Sequence, residues 1–362
     1  MSKAAELAAL IGSQTALSNR NLIINGAMQV DQRNTTTTAT GYALDRYYCA
    51  KENFDEAVVA ITQDTDSPDN FSNSLKYAVT TAESSLASDE IMYISQKIEA
   101  QNLQHLNFGS SAAKSITLSF FVKSSLTGKY SVLMYSDDAV RSNLQSYTID
   151  SANTWEKKTI TFDGDTAGSG INNDNGTGFW LFFTLAAGSD YTGTPHTGWG
   201  AYSATDDFAH SDAVNFAAQT GEFFITGIQL EVGEQATPFE HRSYADELLR
   251  CQRYYHRIVP NDSGGAPAVA SGVEYTTTSH FFTYHHPVAM RAGSTLGYSN
   301  ISHMRVYTAG TSAAMNGLSR AGGTDITSEL NGSTASGIGT AGNGIWFRAF
   351  DASAYVDFDA EL

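Results

Sequence analysis

The stretch ITGIQLEVGEQATPFEHRSYADELLRCQRYYHRI, residues 225–258, changes character in its middle. It begins with the alternation of a β-strand, passes Pro238, and ends as a charged amphipathic segment. Ser243 is a good helix N-cap, acidic residues occupy the first turn after it, and basic residues occupy the last turns, as the helix dipole favours. We therefore predict a connecting helix over residues 243–258, between a strand-rich region that ends near Phe239 and a second β region.

Alternation of apolar and polar residues runs through much of the chain before this helix. The segment KSITLSFFVKSS, residues 114–125, places four apolar side chains on one face, and WEKKTITFDG, residues 155–164, alternates in the same way. The segment GFWLFFTLAAG, residues 178–188, is apolar on both faces, which is typical of a central strand. Short strands separated by Gly, Asn and Asp predict a mainly β chain with a β-sandwich, and no βαβ pattern of an α/β enzyme is present.

Composition excludes several classes of partner. The formal charge of −17 argues against nucleic acid and anionic lipid as ligands, because both require clustered Lys and Arg. Cys49 and Cys251 are the only cysteines, so neither a disulfide framework nor a C-x-x-C metal site is predicted. The sequence has no apolar run of membrane-spanning length, and MSKAAELAALIGSQ lacks the apolar core of a signal peptide. We expect a protein made in a cytoplasm that does not insert into membranes.

A short helix is predicted at the N-terminus. Ala4, Leu7, Ile11 and Gln14 recur at 3-4-3 spacing, which gives two heptads of an a/d seam. Such a helix is too short to be stable alone. It either lies on its own domain or forms a bundle with other copies of the chain, and we favour the bundle, with Leu7 and Ile11 at the contact.

The connecting helix is also predicted to take part in assembly. Tyr244, Leu248, Cys251 and Tyr255 fall at i, i+4, i+7 and i+11, on one stripe of the helix surface. We predict that Leu248, Cys251 and Tyr255 face other chains or the adjoining domains.

Several segments resemble a family of bacteriophage tail-fibre and minor structural proteins. The segments are NLIINGAMQVDQR, LDRYY, ISQKIEAQNL, SITLSFFVKSSLTGKYSV, TWEKKTITFDGDTAG, GIQLEVGEQATPFEHRSYADELLRCQRYYHR and FDAEL. The resemblance runs from about residue 21 to residue 362. It implies a jelly roll similar to carbohydrate-binding modules over residues 21–242, the connecting helix over 243–258 and a C-terminal β domain over 259–362, usually in a homotrimer.

Sugar-binding residues are predicted in the segment GSDYTGTPHTGWGAYSATDDFAH, residues 188–210, because it presents aromatic side chains among residues too polar to form a core. Aromatic faces suit flat sugar rings, and carboxylates and imidazoles bind hydroxyl groups. The predicted binding residues are Tyr191, His196, Trp199, Tyr202, Asp206, Asp207 and His210. Trp199 is the predicted platform, although it could equally close the end of the sandwich.

No cofactor is predicted, and a structural Ca²⁺ ion is left open. The loop DGDTAGSGINNDNGTG, residues 163–178, is rich in oxygen ligands but misses the calcium-loop template, because Ile171 stands where the first Asp should be. His280, His285 and His286 lie close in sequence, and His280 and His286 would share one face of a strand. Ordinary strand packing explains them better than a metal site does.

Catalytic signatures are missing from the sequence. GIGTAG, residues 337–342, fits G-x-G-x-x-G by letters, but neither a preceding strand nor a following helix is predicted. The chain has no G-x-S-x-G, Walker or H-E-x-x-H motif. We therefore expect a non-enzymatic protein.

These observations and the resemblance together suggest a phage fibre protein in the virion. We expect a homotrimeric adhesin that binds polysaccharide or lipopolysaccharide of the bacterial surface, with residues 1–20 docking to other virion proteins or joining the three chains. A structural connector or decoration protein without its own receptor is the alternative, and a glycan depolymerase is the third hypothesis.

Overall fold

The computed structural model describes residues 19–34, 36–193, 196, 198–204, 207–258, 268–308, 310–351 and 353–362. The predicted N-terminal helix with Leu7 and Ile11 therefore lies outside the described residues, and so does Asp206. The chain divides into two compact units, one ending at Glu247 and including Leu362, the other comprising Leu248–Glu361.

The first unit is built from fourteen described strands. They are β1 Gly41–Leu44, β2 Tyr47–Glu52, β3 Val58–Asp64, β4 Ser74–Thr81, β5 Ile91–Glu99, β6 Ile116–Ser124, β7 Gly128–Ser136, β8 Arg141–Ile149, β9 Glu156–Phe162, β10 Thr177–Ala187, β11 Thr192–Gly193, β12 Gly200–Ala201, β13 Ala209–His210 and β14 Gly221–Val232. Short 3₁₀ helices cover Ala100–Leu106, Ser189–Tyr191 and Phe216–Ala218.

Two antiparallel sheets form a sandwich. One sheet has the order β1-β2-β5-β10-β7-β8-β12 and the other has the order β3-β4-β14-β6-β9. From β2 to β14 the chain passes repeatedly from one sheet to the other, so the two inner faces share one core that includes Phe120, Phe162 and Phe183. The mainly β class and the jelly-roll sandwich predicted from the sequence are confirmed.

Strand β10 contains the segment that is apolar on both faces, and each of its faces packs in a different cluster. Phe179, Leu181 and Phe183 point into the core between the sheets. Phe182, which alternates with them, belongs to a separate cluster on the opposite face. The seven-stranded sheet therefore carries aromatic side chains on its outer side as well.

Residues 21–26 are joined to the closing strand β14. The Asn21 amide donates to the Ile228 carbonyl at 3.1 Å, and its oxygen accepts from Leu230 N at 3.1 Å. Ile228 N donates to the Gly26 carbonyl at 2.9 Å, and Gly227 has a φ of 61°, where the register of β14 shifts. The start of the described chain thus lies against a bulge in the last strand of the sandwich.

Two carboxylates near the end of β14 have structural hydrogen bonds. Glu231 is 3% exposed and accepts from Thr237 N at 2.8 Å. Glu240 accepts from Asn21 N at 2.9 Å, and Arg242 donates to the Ile23 carbonyl at 3.0 Å. Charged side chains that are buried in this way need hydrogen-bond partners, and these contacts provide them.

The connecting helix is present but shorter than predicted. Helix α1 spans Tyr244–Gln252, and the Ser243 hydroxyl accepts from Asp246 N at 3.2 Å, as the N-cap assignment required. The prediction that residues up to 258 are helical was wrong, because Tyr255–Ile258 forms strand β15 and pairs with Val356–Asp359. Aromatic and β-branched residues favour a strand when a partner strand is available.

The second unit contains β15 and eight further strands: β16 Ala268–Glu274, β17 Ser279–His285, β18 Thr295–Tyr298, β19 Met304–Thr308, β20 Thr311–Gly323, β21 Thr327–Thr334, β22 Gly344–Ala349 and β23 Val356–Asp359. A 3₁₀ helix covers Ile301–His303. Strands β16-β17-β21-β20-β19-β22 form a closed barrel, and β15-β23-β18 form a small sheet. The C-terminal β domain is therefore present and has its own core, which includes Phe282, Leu330 and Phe347.

Helix α1 is the one α-helix in the described ranges, and no helix there is long and apolar enough to span a bilayer.

Gly26→Ala tests the seam between residues 21–26 and β14. A Cβ at residue 26 would lie 2.2 Å from the Ile228 carbonyl oxygen, a backbone atom that cannot move aside cheaply. We expect the substitution to lower the free energy of unfolding by about 1–3 kcal/mol, measured by denaturant titration. Gly344→Ala is the control, because an added Cβ there meets nothing within 4 Å, and it should change stability by less than about 0.5 kcal/mol. Equal stability of the two variants would contradict the seam.

Candidate functional site

The outer side of the seven-stranded sheet carries a continuous aromatic surface. Cross-strand register places Tyr48 opposite Ser95 and Ser95 opposite Phe182, so all three share one face. The same register aligns Lys97, Trp180 and Tyr135 in the neighbouring row. We call this surface the aromatic face; it comprises Tyr42, Tyr48, Tyr93, Tyr135, Trp180, Phe182, Tyr191, Tyr202 and Phe208.

Ring contacts link the members of the aromatic face from one side to the other. The centroids of Tyr42 and Tyr48 are 5.3 Å apart, and those of Tyr48 and Tyr93 are 6.4 Å apart. Tyr135 and Tyr202 are 4.4 Å apart at the other end. The rings extend over five adjacent strands, from β1 to β7, which corresponds to about 19 Å at the usual strand spacing. The surface is long enough for several consecutive sugar units.

A pocket of about 330 Å³ lies at one end of the aromatic face. Its lining residues are Tyr42, Arg46, Tyr48, Glu52, Tyr93, Ser95, Lys97, Trp180 and Leu362. Apolar rings with a few hydrogen-bonding groups are the usual composition of a small-molecule site.

The polar groups of this pocket are held in place by neighbours. Lys97 Nζ lies 4.2 Å from the centroid of the Trp180 ring, which is a cation–π contact. The buried Arg46 guanidinium donates to the Lys97 carbonyl at 2.6 Å, and Tyr93 Oη donates to Glu52 at 3.3 Å. The pocket therefore combines a cation, a carboxylate and aromatic rings in fixed positions.

The tyrosine hydroxyls of the aromatic face remain protonated at neutral pH. Burial raises the pKa of Tyr93 above its ordinary value of 10, and the Glu52 carboxylate raises it further. Burial also raises the pKa of Tyr202 to about 12, and it raises the pKa of Tyr48, to which Glu52 adds. Each hydroxyl can therefore donate as well as accept a hydrogen bond.

Two of the sequence-predicted binding residues belong to the aromatic face. Tyr191 lies edge-on to Phe208, with centroids 5.7 Å apart, and Phe208 lies 6.2 Å from Tyr93. Tyr202 contacts Tyr135. The loop of residues 188–210 thus adds rings to the surface of the sheet.

Trp199 lies elsewhere, against the main core. Its ring is 5.3 Å from Phe108 and 6.1 Å from Phe179, and its Nε1 donates to the Asp163 carbonyl at 2.6 Å. Trp199 is half-buried and packs against the cluster between the two sheets. Of the two interpretations left open for this residue, closure of the sandwich fits these contacts better.

Asp207, His196 and His210 have structural contacts. Asp207 is 2% exposed and accepts from the Ser142 hydroxyl at 2.6 Å and from Ser203 N at 2.7 Å. His196 is exposed, with Nε2 2.9 Å from the Ala201 carbonyl oxygen. His210 N donates to the Ser131 hydroxyl at 3.0 Å, and burial lowers the pKa of its imidazole. These contacts hold the loop and leave the binding prediction for the three residues without direct support.

Sequence reasoning missed the members of the aromatic face that lie on the strands, and also Lys97 beside them; these members are Tyr42, Tyr48, Tyr93, Tyr135, Trp180 and Phe182. The available signal was their position between inward-pointing residues, as in IMYIS, residues 91–95, and in residues 178–188. A strand with rings on both faces indicates either a covered outer side or a binding surface. The sequence alone does not give the strand order that brings these rings together.

The predicted interface residues of the connecting segment differ in accessibility. Cys251 is fully buried and Tyr255 is 1% exposed within the single chain, and Tyr255 Oη donates to Asp357 at 2.8 Å. Leu248 is half-buried. Cys251 and Tyr255 therefore do not present an open surface to another chain, since their own chain already covers them.

The histidines of the barrel are packed side chains. His280 and His286 are buried and His285 is exposed, in agreement with the predicted alternation. His280 Nε2 lies 3.0 Å from the Thr334 hydroxyl, and His286 Nε2 lies 3.0 Å from the Ser328 hydroxyl. Burial, together with the nearby charges of Arg320 and His285, lowers the pKa of His286 to about 4. The packing interpretation of these residues fits their contacts.

Three carboxylates that could hold a divalent cation meet at another place. Among the described residues, Asp55, Glu83 and Glu90 each offer an oxygen, and these oxygens lie within 4.8 Å of one another. Glu83 and Glu90 are buried. Oxygen ligands of this kind suit Ca²⁺. The loop of residues 163–178, which the sequence suggested for calcium, instead uses Asp165 to pair with Arg141 at 2.6 Å.

No protein-family model and no curated protein sequence matches the chain. Three solved structures illustrate the structural likenesses found. The enzymatically active domain of tailspike protein 4 from bacteriophage CBA120 matches with 13% identity and a TM-score of 0.32, over 59% of this chain and 21% of that one. A putative sugar-binding protein from Bacteroides thetaiotaomicron matches with 13% identity and a TM-score of 0.33, over 59% and 100%.

The third is a family 11 carbohydrate-binding module of a cellulosomal cellulase from Clostridium thermocellum, with 13% identity and a TM-score of 0.29, over 56% of this chain and 98% of that one. At these scores the likenesses establish neither a ligand nor an activity for this chain.

Glu90→Gln should raise the melting temperature at pH 7 in the presence of EDTA by a few degrees. Burial raises the pKa of Glu90, and the nearby carboxylates of Glu83 and Asp55 raise it as well. The hydrogen bond from Ala87 N acts in the opposite direction and lowers it. A carboxyl whose folded-state pKa is raised destabilises the fold when it is charged, so the benefit of Gln should vanish as pH falls below about 4. Thermal unfolding followed from pH 8 down to below pH 4 measures this.

Glu234→Gln, at an exposed position, is the control and should have no effect at any pH. Calcium should raise the melting temperature of the wild-type protein and have a smaller effect on Glu90→Gln, if the three carboxylates bind the ion. A wild-type melting temperature that calcium leaves unchanged would exclude this site.

Proposed function

We propose that the protein is a non-enzymatic attachment protein that binds glycan through the aromatic face. The observation that carries the proposal is the row of rings over five strands, with Lys97 and Glu52 at one end. The half-exposed rings of this row are Tyr42, Tyr48, Tyr135 and Trp180, whereas Tyr93 and Phe182 are buried beneath them. Aromatic rings contact the apolar faces of sugars, and the protonated tyrosine hydroxyls and the charged groups hydrogen-bond sugar hydroxyls. An extended surface suits a chain of sugars better than a single small molecule.

The competing enzymatic function is a glycan depolymerase. Hydrolysis of a glycosidic bond usually requires two carboxylates that face each other across the bond. Release of oligosaccharides from bacterial polysaccharide by the purified protein would contradict the proposed non-enzymatic role.

The virion setting of the proposal rests on the resemblance to phage tail-fibre proteins. A fibre protein of this kind would bind polysaccharide or lipopolysaccharide of the bacterial surface and act as a homotrimer. Three sites in one trimer, and several fibres in one particle, would compensate for weak single sites by about 10² to 10⁴ in avidity. The closed barrel of the second unit has its own core, so trimer formation does not require the chains to exchange strands.

Trp180→Ala should abolish most glycan binding while leaving the fold intact. Trp180 is half-exposed, and its removal takes away both the ring and the cation–π partner of Lys97. We expect affinity for the best ligand on a bacterial glycan array to fall about tenfold, which corresponds to about 1.4 kcal/mol. Isothermal titration of the soluble protein measures the affinity.

Two further tryptophans are matched controls for this experiment. Trp155→Ala alters a half-buried ring on the five-stranded sheet and should leave binding unchanged. Trp199→Ala should lower stability by about 2 kcal/mol because its ring packs against the core, and it should affect binding only through unfolding. Full binding by a stable Trp180→Ala variant would reject the aromatic face, and loss of binding by a stable Trp199→Ala variant would restore Trp199 as the platform.

The alternative function is a structural connector without its own receptor. The glycan array distinguishes the two functions, because a connector would bind no glycan on the array and an adhesin would. Both functions share the proposed homotrimer.

Leu248→Asp tests the trimer. Leu248 is half-buried on α1, and burial of an unpaired charge at a subunit contact is unfavourable. Analytical ultracentrifugation should show trimers for the wild-type protein at micromolar concentration and smaller species for Leu248→Asp. Leu249→Asp, at a neighbouring position that is 43% exposed, should remain trimeric. A monomeric wild-type protein would contradict the proposed assembly.

A further inference from the structure

The outer wall of the C-terminal barrel carries two arginines and two aromatic residues in adjacent positions. Strands β16, β22, β19 and β20 are neighbours in the barrel. One row across these strands contains Ala268, Arg348, Arg305 and Ala314. The next row contains Ser271, Trp346, Tyr307 and Ser312. We call Arg305, Tyr307, Trp346 and Arg348 the arginine–aromatic patch.

The alternation of the strands directs this patch outward. Val306 and Phe347, which alternate with the patch residues, are fully buried in the barrel core. Trp346 is 51% exposed, and Phe350, just beyond β22, is 59% exposed. The flanking residues of both rows are alanines and serines, which are too small to cover the longer side chains between them.

Arg305 and Arg348 lie directly opposite each other, although like charges in this position destabilise a sheet. Neither guanidinium has a carboxylate within ion-pair distance in the described ranges, and Arg348 Nε is buried without an acceptor. By contrast, Arg257 pairs with Asp357 at 3.1 Å. In a chain with 38 acidic and 21 basic residues, two adjacent arginines without acidic partners leave a local positive charge.

Neighbouring rings hold both guanidinium groups in position. Arg348 Cζ lies 4.9 Å from the centroid of Tyr307 and 5.2 Å from that of Trp346. Arg305 Cζ lies 4.8 Å from the centroid of Phe350. A guanidinium stacked on a ring keeps its N–H groups available at its edge, which suits bidentate binding of a carboxylate or a phosphate.

We propose that the arginine–aromatic patch binds an anionic sugar. The carboxylate or phosphate of the sugar would lie between Arg305 and Arg348, and its ring would contact the exposed face of Trp346. Ser271 and Ser312 at the ends of the aromatic row can hydrogen-bond its hydroxyls. This site is distinct from the aromatic face of the first unit, and it does not depend on the function proposed there.

An anionic sugar fits the patch better than a second copy of the chain does. The patch amounts to four long side chains between small ones, whereas a stable protein interface buries about 800 Å² on each partner and involves 20–30 residues. A sugar that carries a carboxylate or a phosphate combines a charge and a flat apolar face in one unit. Those are the two features that the patch presents.

The test uses the full-length protein and four probes: trigalacturonic acid, its uncharged methyl ester, glucose 6-phosphate and glucose. Isothermal titration at 50 and 300 mM NaCl measures binding. We expect one or both anionic probes to bind, at least tenfold more tightly than the uncharged counterpart, with weaker binding at high salt. Binding of trigalacturonic acid alone identifies a carboxylate ligand, and binding of glucose 6-phosphate alone identifies a phosphate ligand.

The variants Arg305→Gln/Arg348→Gln and Trp346→Ala should each weaken binding at least tenfold without lowering the melting temperature. Trp180→Ala should leave it unchanged, which separates this site from the aromatic face. If the double variant unfolds, the affinities of Trp346→Ala and of the single variant Arg305→Gln for the probes decide whether the patch binds them. The proposal is overturned if neither anionic probe binds, if charged and uncharged probes bind equally, or if folded patch variants bind like the wild-type protein. A change in the sedimentation coefficient of the unliganded double variant would instead assign the patch to a contact between chains.

Discussion

The seam between residues 21–26 and Ile228 joins positions about 200 residues apart, and much of the first unit is arranged around it. Asn21 satisfies the backbone of β14 on one side of its bulge, and Gly26 allows the two backbones to approach without a Cβ between them. Glu247, at the start of α1, accepts from Asn25 N at 2.5 Å, so the connecting helix begins on the same network. Buried polar groups are stable only when they are fully hydrogen-bonded. Loss of one residue of this network would therefore leave its partners without their hydrogen bonds. The connecting helix therefore begins directly after the residues that join the two ends of the sandwich.

Strand β10 has two roles because both of its faces are apolar. Its inward residues complete the core, and its outward residues provide the middle of the aromatic face. Trp180 lies on a strand that is paired on both sides, so a ligand of the proposed kind would have little backbone freedom to remove on binding. The loop of residues 188–210 adds Tyr191 and Tyr202 at the border, where sequence changes alter the surface without disturbing the core.

Much of the fold could be predicted from the sequence, and less of the site. Period-two alternation identified the strands, and Ser243 identified the start of the helix, because these signals are local. The end of α1 was missed, since Tyr255–Ile258 becomes a strand only when Val356–Asp359 is available more than 90 residues later. The aromatic face depends on strand order, which brings Tyr48, Tyr93 and Trp180 from three separate segments onto one surface. Trp199 contacts Phe108 and Phe179, so a ring in a polar loop can reach the core, and the sequence alone left this possibility open beside sugar binding.

Closure of the barrel in the second unit removes the free strand edges that an open sheet presents. Another chain can therefore not extend this sheet by backbone pairing, and any contact on its wall must be made through side chains. The backbone of each barrel strand is paired with two neighbouring strands, while the outward-pointing side chains do not pack in the core. Substitutions there disturb folding less than substitutions in the core do, so the chemistry of the wall can change while the strands that carry it stay the same.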